Sequence, residues 1–139
     1  LVVGCGTSLL PRSLRQAGAQ EVIGMDISSV AVDFMNREHS LEGVRWVVGD
    51  ATTLEGFSDQ SFDLIVDKGT SDTLQFRFKR DVGVQLVERM FAAMARVLRP
   101  DGTLFVFSPR KKLQCVQEAG TSSPRWLVKT SSFQSTAIL

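Results

Sequence analysis

The fold of this chain is decided by the stretch Leu1-Val2-Val3-Gly4-Cys5-Gly6-Thr7-Ser8. Three apolar residues that run into Gly-x-Gly predict a buried parallel strand, which ends in a tight turn and leads into a helix. The two glycines let a ligand approach the backbone closely, and the next helix presents its free N–H groups to that ligand. The stretch therefore predicts a ligand-binding turn.

A carboxylate at the end of the second predicted strand indicates which ligand the turn holds. Asp26 stands 22 residues after Gly4 and ends a strand predicted at 21–26. Parallel pairing brings such an acid beside the first turn, where it can accept hydrogen bonds from a ribose diol. A dinucleotide fingerprint has a third glycine three positions after the second, and here that position is Leu9. The pair predicts a nucleoside site and disfavours NAD.

The composition is that of one globular domain. The chain has 139 residues, of which 43% are hydrophobic and 22% are charged, and its net charge is +1. A net charge this small gives no reason to expect binding to nucleic acid or to an anionic membrane. No apolar segment is long enough to cross a membrane. One histidine and two cysteines are too few to predict a metal site. We expect no nucleic-acid, membrane or metal partner and a reducing, cytoplasmic location. The oligomeric state stays open.

Strands and helices alternate along the rest of the chain. We predict further strands at 44–48, 62–67 and 103–107 and helices at 9–17, 29–39 and 81–98. The stretch 68–79 is predicted to be an irregular loop that carries function. Weaker patterns predict a helix at 111–119, a strand at 126–129 and an apolar segment at 136–139. Arg96 and Arg99 lie near the C-terminal end of the third predicted helix, where positive charges interact favourably with the helix dipole. The alternation predicts an α/β fold with a doubly wound, mostly parallel sheet and a ligand crevice at the strands' carboxyl ends.

In these motifs the chain resembles the class I S-adenosylmethionine-dependent methyltransferases, which have a Rossmann-like fold. The resemblance rests on the first turn, on Asp26, on Gly49-Asp50-Ala51 and on the segment 98–104. It implies S-adenosyl-L-methionine as the cofactor, with the glycines at its methionine portion, Asp26 at the ribose hydroxyls and Asp50 with Ala51 at the adenine edge. The cofactor-binding residues that it implies are Gly4, Cys5, Gly6, Thr7, Asp26, Ile27, Asp50, Ala51 and Asp67.

A narrower resemblance lies in Asp67-Lys68-Gly69-Thr70-Ser71-Asp72. This segment is similar to the Asp/Glu-Lys-Gly-Thr-x-Asp signature of a protein-lysine methyltransferase group that acts on elongation factor 1-alpha or, in one mitochondrial branch, on citrate synthase. It implies a protein substrate and, as an alternative location, the mitochondrion. A lysine has a pKa of about 10.4 and must lose a proton to accept a methyl group. Asp67 and Asp72 are therefore the candidate catalytic residues beside the acceptor.

Other functions are compatible with the same residues. A small-molecule methyltransferase would share the fold, since the fold does not fix the acceptor. The methyltransferase family that the chain resembles has a helical segment before the first strand and an antiparallel hairpin that completes the sheet. We therefore expect 1–139 to be a fragment that lacks this helical segment and ends within the hairpin. A truncated module that binds cofactor or partner without catalysis is then a further alternative. An NAD-dependent oxidoreductase is disfavoured by Leu9 and by the carboxylate after the third strand.

Overall fold

Five parallel strands form a single sheet in the computed structural model, which describes residues 1–108. The strands are β1 (Val2–Val3), β2 (Val22–Asp26), β3 (Val44–Val48), β4 (Phe62–Lys68) and β5 (Leu98–Phe107), and the helices are α1 (Leu10–Gln16), α2 (Ser29–Glu38), α3 (Thr70–Arg77) and α4 (Arg80–Val97). The strand order is β3-β2-β1-β4-β5. This is the predicted doubly wound α/β fold.

The shortest strand, β1, lies at the centre of the sheet. Val2 is in register with Gly24 of β2 on one side and with Val66 of β4 on the other. The winding direction of the chain reverses between these two neighbours, and a parallel sheet opens a crevice at the carboxyl ends of the strands where that happens. The turn that follows β1 therefore lies at the switch point.

Both faces of the sheet are buried at its centre, as is typical of a parallel sheet, whereas Phe105 and Phe107 of the edge strand β5 are about half exposed. Val3 belongs to a core with Met90 and Met94 of α4, whereas Val2 belongs to a second core with Met35 of α2. Successive side chains of a strand point to opposite faces, so the two valines of β1 anchor the two helical layers. The turn after β1 is thereby fixed from both sides.

The predicted loop at 68–79 is wrong, because most of it is helix α3. Gly69 adopts a left-handed conformation with φ of 85° immediately before the helix. The Asp67 carboxylate accepts hydrogen bonds from the backbone N–H groups of Thr70 (2.8 Å) and Ser71 (3.3 Å) and so satisfies the first turn. The apolar periodicity that identifies a surface helix is absent, so the sequence pattern gave no helical signal.

The segment from α4 to β5 follows the prediction closely. The helix predicted at 81–98 is α4, and the stretch 99–102 interrupts the pairing before regular register begins at Leu64↔Thr103. No helix within residues 1–108 is long and apolar enough to cross a membrane. The predictions at 111–119, 126–129 and 136–139, together with Cys115, lie outside the described residues.

Candidate functional site

The turn after β1 has a backbone that favours glycine at two positions. Gly4 and Gly6 have φ of +57° and +50°, in the left-handed region. The Cys5 N–H donates to the carbonyl of Met25 at 2.9 Å, which ties the turn to β2. On the other side, the Thr70 hydroxyl donates to the carbonyl of Val3 at 3.0 Å, so the start of α3 closes the turn.

Asp26 lies directly against this turn, as the sequence predicted. Its Oδ2 accepts a hydrogen bond from the Gly6 N–H at 2.7 Å, and its Oδ1 accepts one from the Ser28 N–H at 2.9 Å. A carboxylate has about four lone-pair sites, so two further donors can still bind. A vicinal diol has two hydroxyl donors, and the half-buried Asp26 fits it.

The end of β3 lies next along the same edge. The Gly49 N–H donates to the carbonyl of Asp26 at 3.0 Å, which joins the ends of β2 and β3. The exposed Asp50 carboxylate accepts from both the N–H and the hydroxyl of Thr52, each at 2.8 Å. Ala51 is half-buried beside it. A polar acceptor thus stands at the tip of each of these two strands.

Apolar surface accompanies the carboxylates. Ile27 follows Asp26 and is 73% exposed, and Val48 at the end of β3 is exposed as well. Thr7 is exposed beyond Gly6. The exposed Ile27 thus places an apolar side chain beside the Asp26 carboxylate.

Asp67 has a different environment from the one that the sequence suggested. Its side chain is fully buried, at 0% exposure, and its oxygens bind the N–H groups at the start of α3. Burial raises the pKa of this carboxyl above its ordinary value, and the Asp72 charge adds to the rise. In this geometry Asp67 caps helix α3 and has no exposed surface. Its contacts with cofactor and acceptor stay predictions.

Asp72 lies in the first turn of α3 and has one oxygen to spare. Its Oδ1 accepts a hydrogen bond from the Ser108 hydroxyl at 2.9 Å, whereas its Oδ2 is buried and has no hydrogen-bond partner within residues 1–108. The Gln75 Oε1 is buried and unpartnered in the same way, whereas the buried Ser71 hydroxyl lies close enough to the Asp67 carboxylate to oppose the rise of its pKa. Buried acceptors normally find a donor, so these oxygens are exceptions among the described residues. The sequence analysis named Ser71 within the signature segment but missed Gln75, because α3 itself was missed.

Cys5 is buried in the turn and is a packing residue rather than a reactive thiol. Burial raises its pKa to about 12, and the nearby Asp26 charge contributes to the rise. The thiolate is the nucleophilic form, so at pH 8 only on the order of one Cys5 side chain in 10⁴ is reactive.

We therefore expect Cys5 to resist a thiol reagent in the folded protein. In a Cys115→Ser variant, which leaves Cys5 as the one remaining cysteine, labelling by dithionitrobenzoate at pH 8 should be at least about 100-fold slower than in the same protein unfolded in guanidinium. Rapid, stoichiometric labelling of the folded protein would show that the turn is more open than described.

The raised pKa of Asp67 predicts a specific pH dependence of stability. Unfolded aspartate ionises near pH 3.9, whereas the folded protein keeps the proton to a higher pH because burial opposes the charge. Between the two pKa values the folded state binds more protons, so the free energy of unfolding falls as pH rises. Asp67→Asn keeps an acceptor for the Thr70 N–H but cannot ionise.

Urea unfolding at a series of pH values measures this effect. The stability of the wild type minus that of Asp67→Asn should decline as pH rises from about 4 and level off above the folded pKa. A difference that is flat or that increases with pH would contradict the burial of this carboxyl.

Known proteins are similar to this chain in sequence and in fold. The sequence family described as "Methyltransferase domain" matches residues 1–106. The chain is 36% identical over 110 residues to the eEF1A lysine and N-terminal methyltransferase of Bos taurus, across 78% of this chain and 16% of that protein. It is 35% identical over 109 residues to EEF1A lysine methyltransferase 4 of Bos taurus, across 73% of this chain and 42% of that protein. It thus spans less than half of either relative.

A solved structure gives the same result for the fold. The TehB-like SAM-dependent methyltransferase of Corynebacterium glutamicum superposes with a TM-score of 0.56 at 27% identity, over 76% of this chain and 52% of that one. The resemblance drawn from the glycine turn and its acids is confirmed. The chain belongs to the methyltransferase domain family and has the Rossmann-like fold of the class I methyltransferases.

Proposed function

We propose that this chain is the cofactor-binding domain of an S-adenosylmethionine-dependent methyltransferase that acts on a lysine side chain of a protein. One observation carries the cofactor half of the proposal. The Gly6 N–H and the Asp26 carboxylate are joined at 2.7 Å across the ends of β1 and β2, with acceptor capacity left on the carboxylate. This is the arrangement that a ribose beside a glycine turn requires.

The cofactor fits the order of groups along the carboxyl edge. Asp26 would hold the ribose, Asp50 and Ala51 the adenine, and the turn of Gly4 and Gly6 the methionine portion. A side chain at Gly4 would collide with Thr70, so glycine at this position lets the start of α3 pack against the turn. When bound, S-adenosylmethionine supplies an electrophilic methyl group. The protein then has to orient the acceptor and exclude water.

The acceptor half of the proposal rests on the face of α3. Asp72 lies in the first turn of α3, and a carboxylate beside an amine can accept a hydrogen bond from it and take the proton that a lysine must lose. Relatives named for lysine methylation of eEF1A support a protein lysine as the acceptor. Elongation factor 1-alpha is the first candidate substrate, and citrate synthase is the second.

Mass spectrometry of candidate substrates tests the acceptor. The purified protein is incubated with S-adenosylmethionine and either elongation factor 1-alpha or citrate synthase, and each lysine is examined for a gain of 14 Da per methyl group, the mass of about one CH₂. We expect one of the two substrates to be methylated by the wild type and not by the Asp72→Asn variant. The Asp33→Asn variant is the control and should retain the activity, because Asp33 is an exposed acid on α2. Unmodified lysines in both proteins, together with intact cofactor binding, would point to a small-molecule acceptor.

A further inference from the structure

Arg96 lies near the C-terminal end of α4 and makes hydrogen bonds to another segment of the chain, in addition to any interaction with the helix dipole. Its Nη1 donates to the carbonyl of Phe57 at 2.9 Å and to the Asp59 carboxylate at 2.7 Å. Its Nη2 donates to the carbonyls of Thr53 at 3.3 Å and Leu54 at 3.0 Å. One guanidinium thus holds four acceptors of the connection between β3 and β4, a task that suits its planar set of donors.

These contacts reach the turn that begins at Asp50. The N–H of Leu54 donates back to the carbonyl of Asp50 at 2.9 Å, which closes the turn 50–54. Leu54 adopts a left-handed backbone with φ of 49°, although it is not glycine, and its side chain is fully buried in the core. A residue keeps such a conformation only where its surroundings enforce it. Here the core holds the side chain of Leu54 and Arg96 holds its carbonyl.

The order of the strands relates this turn to the nucleoside. The carboxyl ends follow the sequence β3, β2, β1 along the edge, and Asp26 on β2 is the proposed ribose ligand. A nucleoside held at β2 with its methionine portion at β1 therefore extends its base towards β3. The base then meets Asp50 and Ala51, the first two residues of the turn that Arg96 braces.

We propose that Arg96 is a positioning residue that fixes the turn 50–54 for recognition of the base and thereby sets the preference for adenine. This inference rests on the proposed cofactor. Arg96 does not touch the base in this reading, because it acts through the carbonyls of Thr53 and Leu54. A loosened turn would hold the Asp50 carboxylate less precisely and would weaken the distinction between a base edge that donates and one that accepts.

Calorimetric titration of matched variants tests the proposal. Wild type, Arg96→Met, Arg96→Lys and Arg99→Met are titrated with S-adenosylhomocysteine and with S-inosylhomocysteine, in which a carbonyl replaces the amino group of adenine. Arg99 is the control, since it binds the carbonyl of Gln60 and the Asp63 carboxylate, which lie outside the turn. Both arginines are partly exposed, at 38% and 48% of their side chains. Circular dichroism shows whether each variant is folded.

We expect Arg96→Met to bind S-adenosylhomocysteine about tenfold more weakly, which corresponds to about 1.4 kcal/mol, and the inosine analogue with little change. The preference for adenine should therefore fall in Arg96→Met, fall less in Arg96→Lys and stay unchanged in Arg99→Met. A loss of stability alone would lower both affinities together and leave the preference intact, which would overturn the proposal. If Arg96→Met does not fold, the ratio of the two affinities in Arg96→Lys tests the proposal instead, and a ratio equal to that of the wild type overturns it. Wild type that binds neither ligand would instead refute the proposed function.

Discussion

Replacement of Gly4 by alanine is expected to lower the free energy of unfolding by roughly 2 to 5 kcal/mol, the largest effect of any single substitution in the turn. Two costs add. The φ of +57° is unfavourable for a residue with a Cβ, and that Cβ would lie only 2.7 Å from Cγ2 of Thr70 and closer still to its hydroxyl. Denaturant unfolding monitored by tryptophan fluorescence measures the loss.

Gly6→Ala is the matched control for this prediction. Gly6 has a similar φ of +50°, but a Cβ there would meet nothing within 4 Å. Its cost should therefore be the backbone part alone, about 1 to 2 kcal/mol. Thr70→Ala in the Gly4→Ala background should recover part of the difference, because it removes the two atoms that collide most severely. Equal losses for the two glycines, or no recovery, would contradict the contact between the turn and α3.

Asp26→Ala is expected to weaken the binding of S-adenosylhomocysteine by roughly 1 to 3 kcal/mol, or about 5-fold to 150-fold. The carboxylate is the proposed partner of both ribose hydroxyls, and its loss also frees the Gly6 N–H that it now holds at 2.7 Å. Isothermal titration calorimetry gives the two dissociation constants directly.

Two variants separate the ribose contact from general effects. Asp33→Ala removes an exposed carboxylate from α2 and should bind the ligand as the wild type does. Asp26→Asn keeps an oxygen acceptor but loses the charge, so its affinity should lie between those of the wild type and the alanine variant. Unchanged affinity in Asp26→Ala would show that the ribose is held elsewhere.

The sequence predicted the parts of the site whose signals are local. The apolar strand before Gly4, the acid at the end of β2 and the acid after β3 each follow from a few adjacent residues. Parallel pairing then forces them to one edge, so the contact between Asp26 and Gly6 could be foreseen before any coordinates. The same reasoning gave the strand alternation and hence the fold.

The missed features depend on residues that are distant in the sequence or on unusual capping. Helix α3 is capped by Asp67 across a left-handed Gly69, without the apolar periodicity that would have revealed it. The same contact buries Asp67, which the sequence had suggested as a residue facing the ligands. Arg96 was expected to serve only the helix end, yet it bonds a carbonyl 42 residues earlier in the chain. No local pattern contains the Arg96 contact, whereas the cap at Asp67 spans only three or four residues and is a local signal that the search for apolar periodicity overlooked.

We propose that the carboxyl edge of β1 to β3 holds the adenosine of S-adenosylmethionine. Calorimetric titration of the purified protein with S-adenosylhomocysteine and, separately, with NADH distinguishes this cofactor from a dinucleotide. We expect saturable binding of S-adenosylhomocysteine at one site per chain, weakened by Asp26→Ala, and no heat with NADH. Binding of NADH instead, or of neither ligand by folded protein, would contradict it.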